Sequence, residues 1–171
     1  AKPGTLAHGS SGVGGAGHLA GALFQSMTQT KMLHVPYKGG APAMVDIIAG
    51  QVQFSFASTP TAIPNITSGR IRALAVTLAQ RTRLLPQTPT IAEAGVSGYE
   101  SSSWYGVVAP ARTPLAIVER LNAEFAKSLL SPKVQDYMRA QSFDPVGGSA
   151  REFGDFLRED RANAGRVFRA I

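Results

Sequence analysis

The chain has 171 residues, 44% hydrophobic and 16% charged, with a net charge of +6, a pI near 10.1 and no cysteine. This is the composition of a globular protein with a buried core, and it excludes disulfides, thiol catalysis and cysteine-ligated metal sites. The arginines are scattered, with no block of like charges and no interleaved aromatic residues, so solvated basic faces are expected and no nucleic-acid surface.

Leu6–Gly9 reads as a strand that enters the glycine-rich stretch HGSSGVGGAGH, residues 8–18. Gly17–Thr28 follows as a helix, with Leu19, Ala20, Leu23, Phe24 and Met27 at helical spacing. Met32–Pro36 is a second strand and Pro42–Ala49 a second helix stopped by Gly50. Val52–Ala57 alternates as a third strand, Pro60–Thr67 is a short helix before Gly69, and Ile71–Thr77 is a fourth strand. Strands separated by helices of this length predict an α/β fold with a parallel sheet and helices on both faces. The loops after the strands then share one edge, where open α/β sheets place ligands.

Leu84–Glu100 reads as a connector with a short helix near Ile91–Ala94, and Ser103–Ala109 as an apolar strand. Three helices follow: Thr113–Leu129, with Thr113 as cap and Pro114 at the first position; Pro132–Ala140; and Ser149–Ala170, opened by the capping-box spacing of Ser149 and Glu152. One strand anchoring three helices leaves them short of sheet. They either wrap the first unit or belong to a second lobe.

Gly12–Gly17 matches G-x-G-x-x-G, which makes an NAD-binding oxidoreductase lobe the alternative reading. The acidic residue that should close the second strand is absent, since that strand ends in Pro36, Tyr37, Lys38 and Gly39. The turn fits neither a P-loop nor a nucleophile elbow, and three histidines without H-E-x-x-H give no zinc hydrolase. What remains is small residues and a helix N-terminus at the end of a strand, a cradle for carboxylate or phosphate, to which Ser10 and Ser11 add hydroxyls. A tight turn that binds nothing is the other possibility. Tyr37 and Lys38 sit at the second strand's cleft edge, where each is a ligand contact or a structural residue; His18 either caps the site or packs.

The strings KPGTLAHGSSGVGGAGHLAGALF, HVPYKGGAPAMVDIIAGQVQFSF, SGRIRALAVT, LLPQTPTIAEAGVSGYESSSWYGVVAPARTP and DPVGGSAREFGDFLRED resemble, in order and over essentially the whole chain, the extracytoplasmic solute receptors of tripartite tricarboxylate transporters (the TctC or Bug family). The resemblance implies a periplasmic, non-enzymatic receptor with a type II binding-protein fold and no cofactor. It would capture a small di- or tricarboxylate for membrane permease subunits. Residues 1–100 would be the second, ligand-binding lobe, and residues 101–171 the C-terminal portion of an incomplete first lobe, with hinges near 1–6 and 98–104. The chain would then lack the N-terminal part, and its last helices would pack abnormally or through a non-native oligomer. The ligand-binding residues implied are Ser10, Ser11, Gly12, Val13, Gly14, Tyr37, Ser58 and Thr59; an Ala57–Ser58 pair without Asp favours a plain dicarboxylate over an amino acid.

Overall fold

The structure, a computed structural model, describes residues 4–169, with the side chains of residues 166–169 excepted; Ala1, Lys2 and Pro3 of the expected hinge, and Ala170 at the expected end of the last helix, lie outside the described residues. The chain divides into a unit built on residues up to Ser103 and a unit spanning Trp104–Gly165.

In the first unit the elements run β1 (Ala7–Ser10), α1 (Ala16–Thr28), β2 (Leu33–Pro36), α2 (Gly40–Ile48), β3 (Phe54–Ser55) and α3 (Thr59–Thr67). The strands form a parallel sheet of order β2-β1-β3. With right-handed crossovers, that order sends α1 and α2 to opposite faces. The alternation of β1 agrees. A Cβ on Gly21 of α1 would meet the ring of His8 at 2.6 Å, whereas one on the next β1 residue, Gly9, would meet Ala43 of α2 at 3.6 Å. Ala20 and Ala22 of α1, Ala43 and Met44 of α2, Val52, Ile91 and Tyr99 are buried. Tyr99 donates its hydroxyl to the Ala20 carbonyl at 2.9 Å and packs edge-on against Phe24.

The expected fourth strand, Ile71–Thr77, does not form: among the described residues its ladder contact is a single parallel bridge between Val76 and Thr90. Leu74 stays 61% exposed, so its periodicity finds no neighbouring strand to pair with. The third strand shrinks to two residues. The segment at Ile91–Ala94 is a turn, held by the Thr90 and Glu93 side chains bonding each other's backbone amides at 2.7 and 3.0 Å. Gly95, at φ +115, stops it from propagating.

Ser103–Ala109, which passes from the first unit into the second at Trp104, is not a strand and makes no ladder among the described residues. Helices α4 (Leu115–Leu130), α5 (Pro132–Ala140) and α6 (Ala150–Arg169) follow. Pro114 is the N-cap of α4, at ψ 138, rather than its first helical residue. The capping box of α6 is made in full. Ser149 Oγ accepts the Glu152 amide at 3.1 Å, and Glu152 Oε2 accepts the Ser149 amide at 2.8 Å.

Candidate functional site

Because all three strands are parallel, their carboxyl ends lie on one edge, and the loops at 11–15, 37–39 and 56–58 share it. Each loop leads into a helix N-terminus. None of α1, α2 and α3 has a side-chain cap, and none carries an acidic residue in its first turn. The amides of a first helical turn point outward with partial positive charge. Here they are neutralised by no carboxylate of their own helix. The three ends are neighbours. Gly39 N–H donates to the Ser11 carbonyl at 3.1 Å. A Cβ on Gly40 would reach Thr61 Oγ1 at 3.1 Å, and one on Gly17 would reach the Phe56 carbonyl oxygen at 2.6 Å. Gly17 is therefore fixed as glycine by the approach of α1 to the chain leaving β3.

The glycine loop is held from within. Ser10 is fully buried, and its Oγ accepts the Gly12 amide at 3.2 Å, lies 3.1 Å from the Gly12 carbonyl and bonds His34 Nε2 at 2.7 Å. Gly14 N–H donates to His18 Nδ1 at 3.0 Å. Gly12 and Gly14 have φ of 143 and 78, which only glycine adopts without strain. Ser11 and Val13 are exposed on the outer side of the loop. Tyr37 adjoins the loop, its amide bonded to the Ser10 carbonyl at 3.0 Å. Its hydroxyl donates to Asp46 Oδ2 at 2.7 Å, and that carboxylate holds the Tyr37 ionisation above its ordinary value. Ser10 and Tyr37 thus spend their hydroxyls on the fold, whereas Ser11, Gly12, Val13 and Gly14 form the rim. Ser58 is the N-cap residue of α3, with its Oγ 3.1 Å from Thr61 Oγ1, and Thr59 opens that helix.

Beside the rim lies a small open pocket lined by Ala16, Gly17 and Ala20 of α1, by Phe56 and Ala57, and by Thr77, Ser101 and Ser103. The hydroxyl residues Thr77, Ser101 and Ser103 escaped the sequence reading. Ser101 N–H donates to the Thr77 carbonyl at 2.8 Å, a contact between segments that show no pattern linking them. Thr77 had one signal, its place at the carboxyl end of a strand-like run.

The three histidines also meet here. His34 stacks on His8 at 5.0 Å and on His18 at 4.1 Å. Burial lowers the His8 pKa to about 4, with His34 and His18 adding to the shift. Burial and then His18 lower that of His34. Stacked rings aim their nitrogens edgewise rather than at a common point, and no cluster able to hold a metal forms among the described residues.

Comparison with known proteins shows the family of this chain. Residues 1–171 match the family described as "Tripartite tricarboxylate transporter family receptor". A protein of the tcbD-tcbE intergenic region of Pseudomonas sp. strain P51 is 40% identical over 160 residues, covering 93% of this chain and 48% of that relative. A solved structure titled "R. palustris Rpa4515 with adipate" is 40% identical with a TM-score of 0.85, covering 99% of this chain and 56% of that one. "Structure of periplasmic binding protein BugD" is 30% identical with a TM-score of 0.83, covering 99% and 57%. The chain therefore spans about half the length of the curated relatives it matches. Nothing in these likenesses supports the oxidoreductase reading, and the end of β2 offers a ribose no carboxylate. The chain belongs to the receptor family of the tripartite tricarboxylate transporters.

Proposed function

We propose that this chain forms one wall of the cleft of a periplasmic receptor that captures a small di- or tricarboxylate and delivers it to membrane permease subunits, without catalysis and without a cofactor. Residues 1–100 are the ligand-binding lobe in this reading, and residues 101–171 the C-terminal portion of the other. The observation that carries it is the meeting of three uncapped helix N-termini, free of acidic residues, on one sheet edge. Charge-assisted bonds from such amides suit a carboxylate oxygen. The rim supplies Ser11, Gly12, Val13 and Gly14, with Ser58 and Thr59 at the third helix. Ser10 and Tyr37 hold that rim in place. The structure titled with adipate supports a dicarboxylate as the first ligand to try.

Amide NMR spectra recorded during an adipate titration test this, with adipamide as the uncharged control. Adipate is expected to shift the amides of Ser11, Val13, Ala16 and Gly17, and adipamide to leave them in place. Equal shifts from both compounds, or shifts confined to the arginine-bearing surface, overturn the reading.

A further inference from the structure

His8 and His34 are register partners across β1 and β2, so both side chains leave the sheet on the face that α1 covers. His18, in the first turn of α1, stacks on His34 with an interplanar angle of 11°. His34 is therefore the middle plate of the stack. Its inner neighbour His8 is fully buried, with neither ring nitrogen bonded. The other two rings each grip the glycine loop, His34 through Ser10 Oγ and His18 through the Gly14 amide. Neither β1, β2, β3 nor α1 contains an Asp, Glu, Lys or Arg. The aromatic neighbours of His8 from β3 and just beyond it are Phe54 and Phe56. The imidazoles are thus the only titratable groups that these four elements contribute.

We propose that His18 and His34 are positioning residues for the anion-binding loop, and that protonating the stack lets the loop relax and weakens carboxylate binding. This rests on the reading of the loop as a carboxylate-binding wall. The chemistry is direct. A neutral imidazole offers one acceptor nitrogen, and an imidazolium offers none. Protonation of His18 at Nδ1 removes the acceptor for the Gly14 amide. The left-handed glycines at 12 and 14 then lose one of the bonds that hold their conformation. A second proton on the adjacent ring is opposed by the first, since like charges in one stack disfavour each other. An added positive charge acting alone strengthens anion binding as pH falls. Loss of the preorganised loop gives the opposite sign, and the sign decides between them.

Two measurements test this. In amide NMR spectra of the chain recorded on acidification, the Gly14 amide signal is expected to move in step with the signals of the His18 ring, its acceptor. In His18→Asn, whose side-chain oxygen stands near the place of Nδ1, the amide is expected to stay protected and stop titrating. In His18→Ala its hydrogen exchange is expected to be about fivefold faster at neutral pH, as for the loss of one hydrogen bond. A Gly14 amide that does not titrate, or that titrates unchanged in His18→Asn, overturns the proposal. The second measurement is adipate affinity against pH, expected to fall on acidification in the native chain and to flatten in His18→Asn. Affinity that rises on acidification overturns the proposal. Absence of adipate binding at every pH instead counts against this wall holding a carboxylate by itself, and the amide titration then decides the role of the stack.

Discussion

The unit ending at Ser103 and the Trp104–Gly165 unit treat their apolar side chains differently. Ala20, Ala22, Ala43, Met44, Val52, Ile91 and Tyr99, the buried apolar residues, all belong to the first. Among the described residues of the second, no apolar side chain reaches that degree of burial. Tyr105, Val107 and Val108 stand 73%, 70% and 76% exposed, and Leu115, Ile117, Leu121 and Phe125 of α4 remain exposed as well. The second unit coheres instead through Trp104 against Phe153 and Phe156, Tyr105 against Phe143, and the capping box of α6. Helices form there because i→i−4 bonds and caps are local to the sequence. A strand and a core need partners from elsewhere. The site follows the same division: the rim, the stack and the pocket are all built on the packed unit, where a close contact has nowhere to relax.

The largest expected effect comes from the buried end of that unit. His8 has its pKa lowered from 6.5 to about 4 by burial. The folded state therefore binds fewer protons than the unfolded chain between those values. Its contribution to stability is fully present above pH 6.5 and is lost as pH falls toward 4. The shift corresponds to about 3 kcal/mol. Urea unfolding of the native chain is expected to show that acid slope, and His8→Phe, with no titrating nitrogen, to remove most of it. An identical slope in His8→Phe would assign the acid sensitivity to other groups. The second unit offers no buried titratable group of this kind among its described residues.

A pair of glycine substitutions sharpens the contrast. In Gly21→Ala the new methyl lands 2.6 Å from the ring of His8, which is enclosed by His34, Phe54 and Phe56. Overpacking of this kind costs about 1–3 kcal/mol, offset in part by the roughly 1 kcal/mol that alanine gains over glycine in a helix. In Gly106→Ala the methyl meets the ring of Phe153, which is only partly covered and can swing aside. Gly21→Ala is thus expected to lower the denaturation midpoint clearly, and Gly106→Ala to move it little. The reverse order would show that the second unit is the more tightly packed.

The same physics explains how much could be read in advance. The bounds of α5 agree to the residue and those of α1 and α2 to within two, because apolar spacing and stop residues are local. The parallel sheet followed from the alternation of strands and helices. Ile71–Thr77 and Ser103–Ala109 carry strand composition without strand partners, which composition does not reveal. At the site, the glycine rim was legible as a cradle, but the inward turn of Ser10 was not. The alternation of β1 puts Ser10 on the face of His8, and His34 meets it there only through the register of β1 and β2. The histidines are 10 and 16 residues apart in sequence, from His8 to His18 to His34. No spacing rule unites them.

The smallest expected effect lies in the second unit, where the capping box of α6 is exposed and local. Ser149→Ala deletes the hydroxyl that accepts the Glu152 amide and that also donates to Glu152 Oε2 at 2.8 Å. Loss of a serine N-cap costs about 1 kcal/mol. Glu152 has its pKa lowered, first by the Ser149 amide and then by the Ser149 hydroxyl. A carboxylate with a depressed folded pKa stabilises above its unfolded value, near 4.5, and loses that contribution as pH falls through the folded one. The hydroxyl's share of that contribution is thus expected at neutral pH and absent in strong acid. The difference in helical circular dichroism between Ser149→Ala and the native chain is therefore expected to narrow in acid. A difference that stays constant down to pH 2 would mean that the cap acts only through the Glu152 amide, which does not titrate. Because the box needs nothing beyond residues 149 and 152, its loss is expected to leave the pH response of the histidine stack unchanged, as two units with separate determinants require.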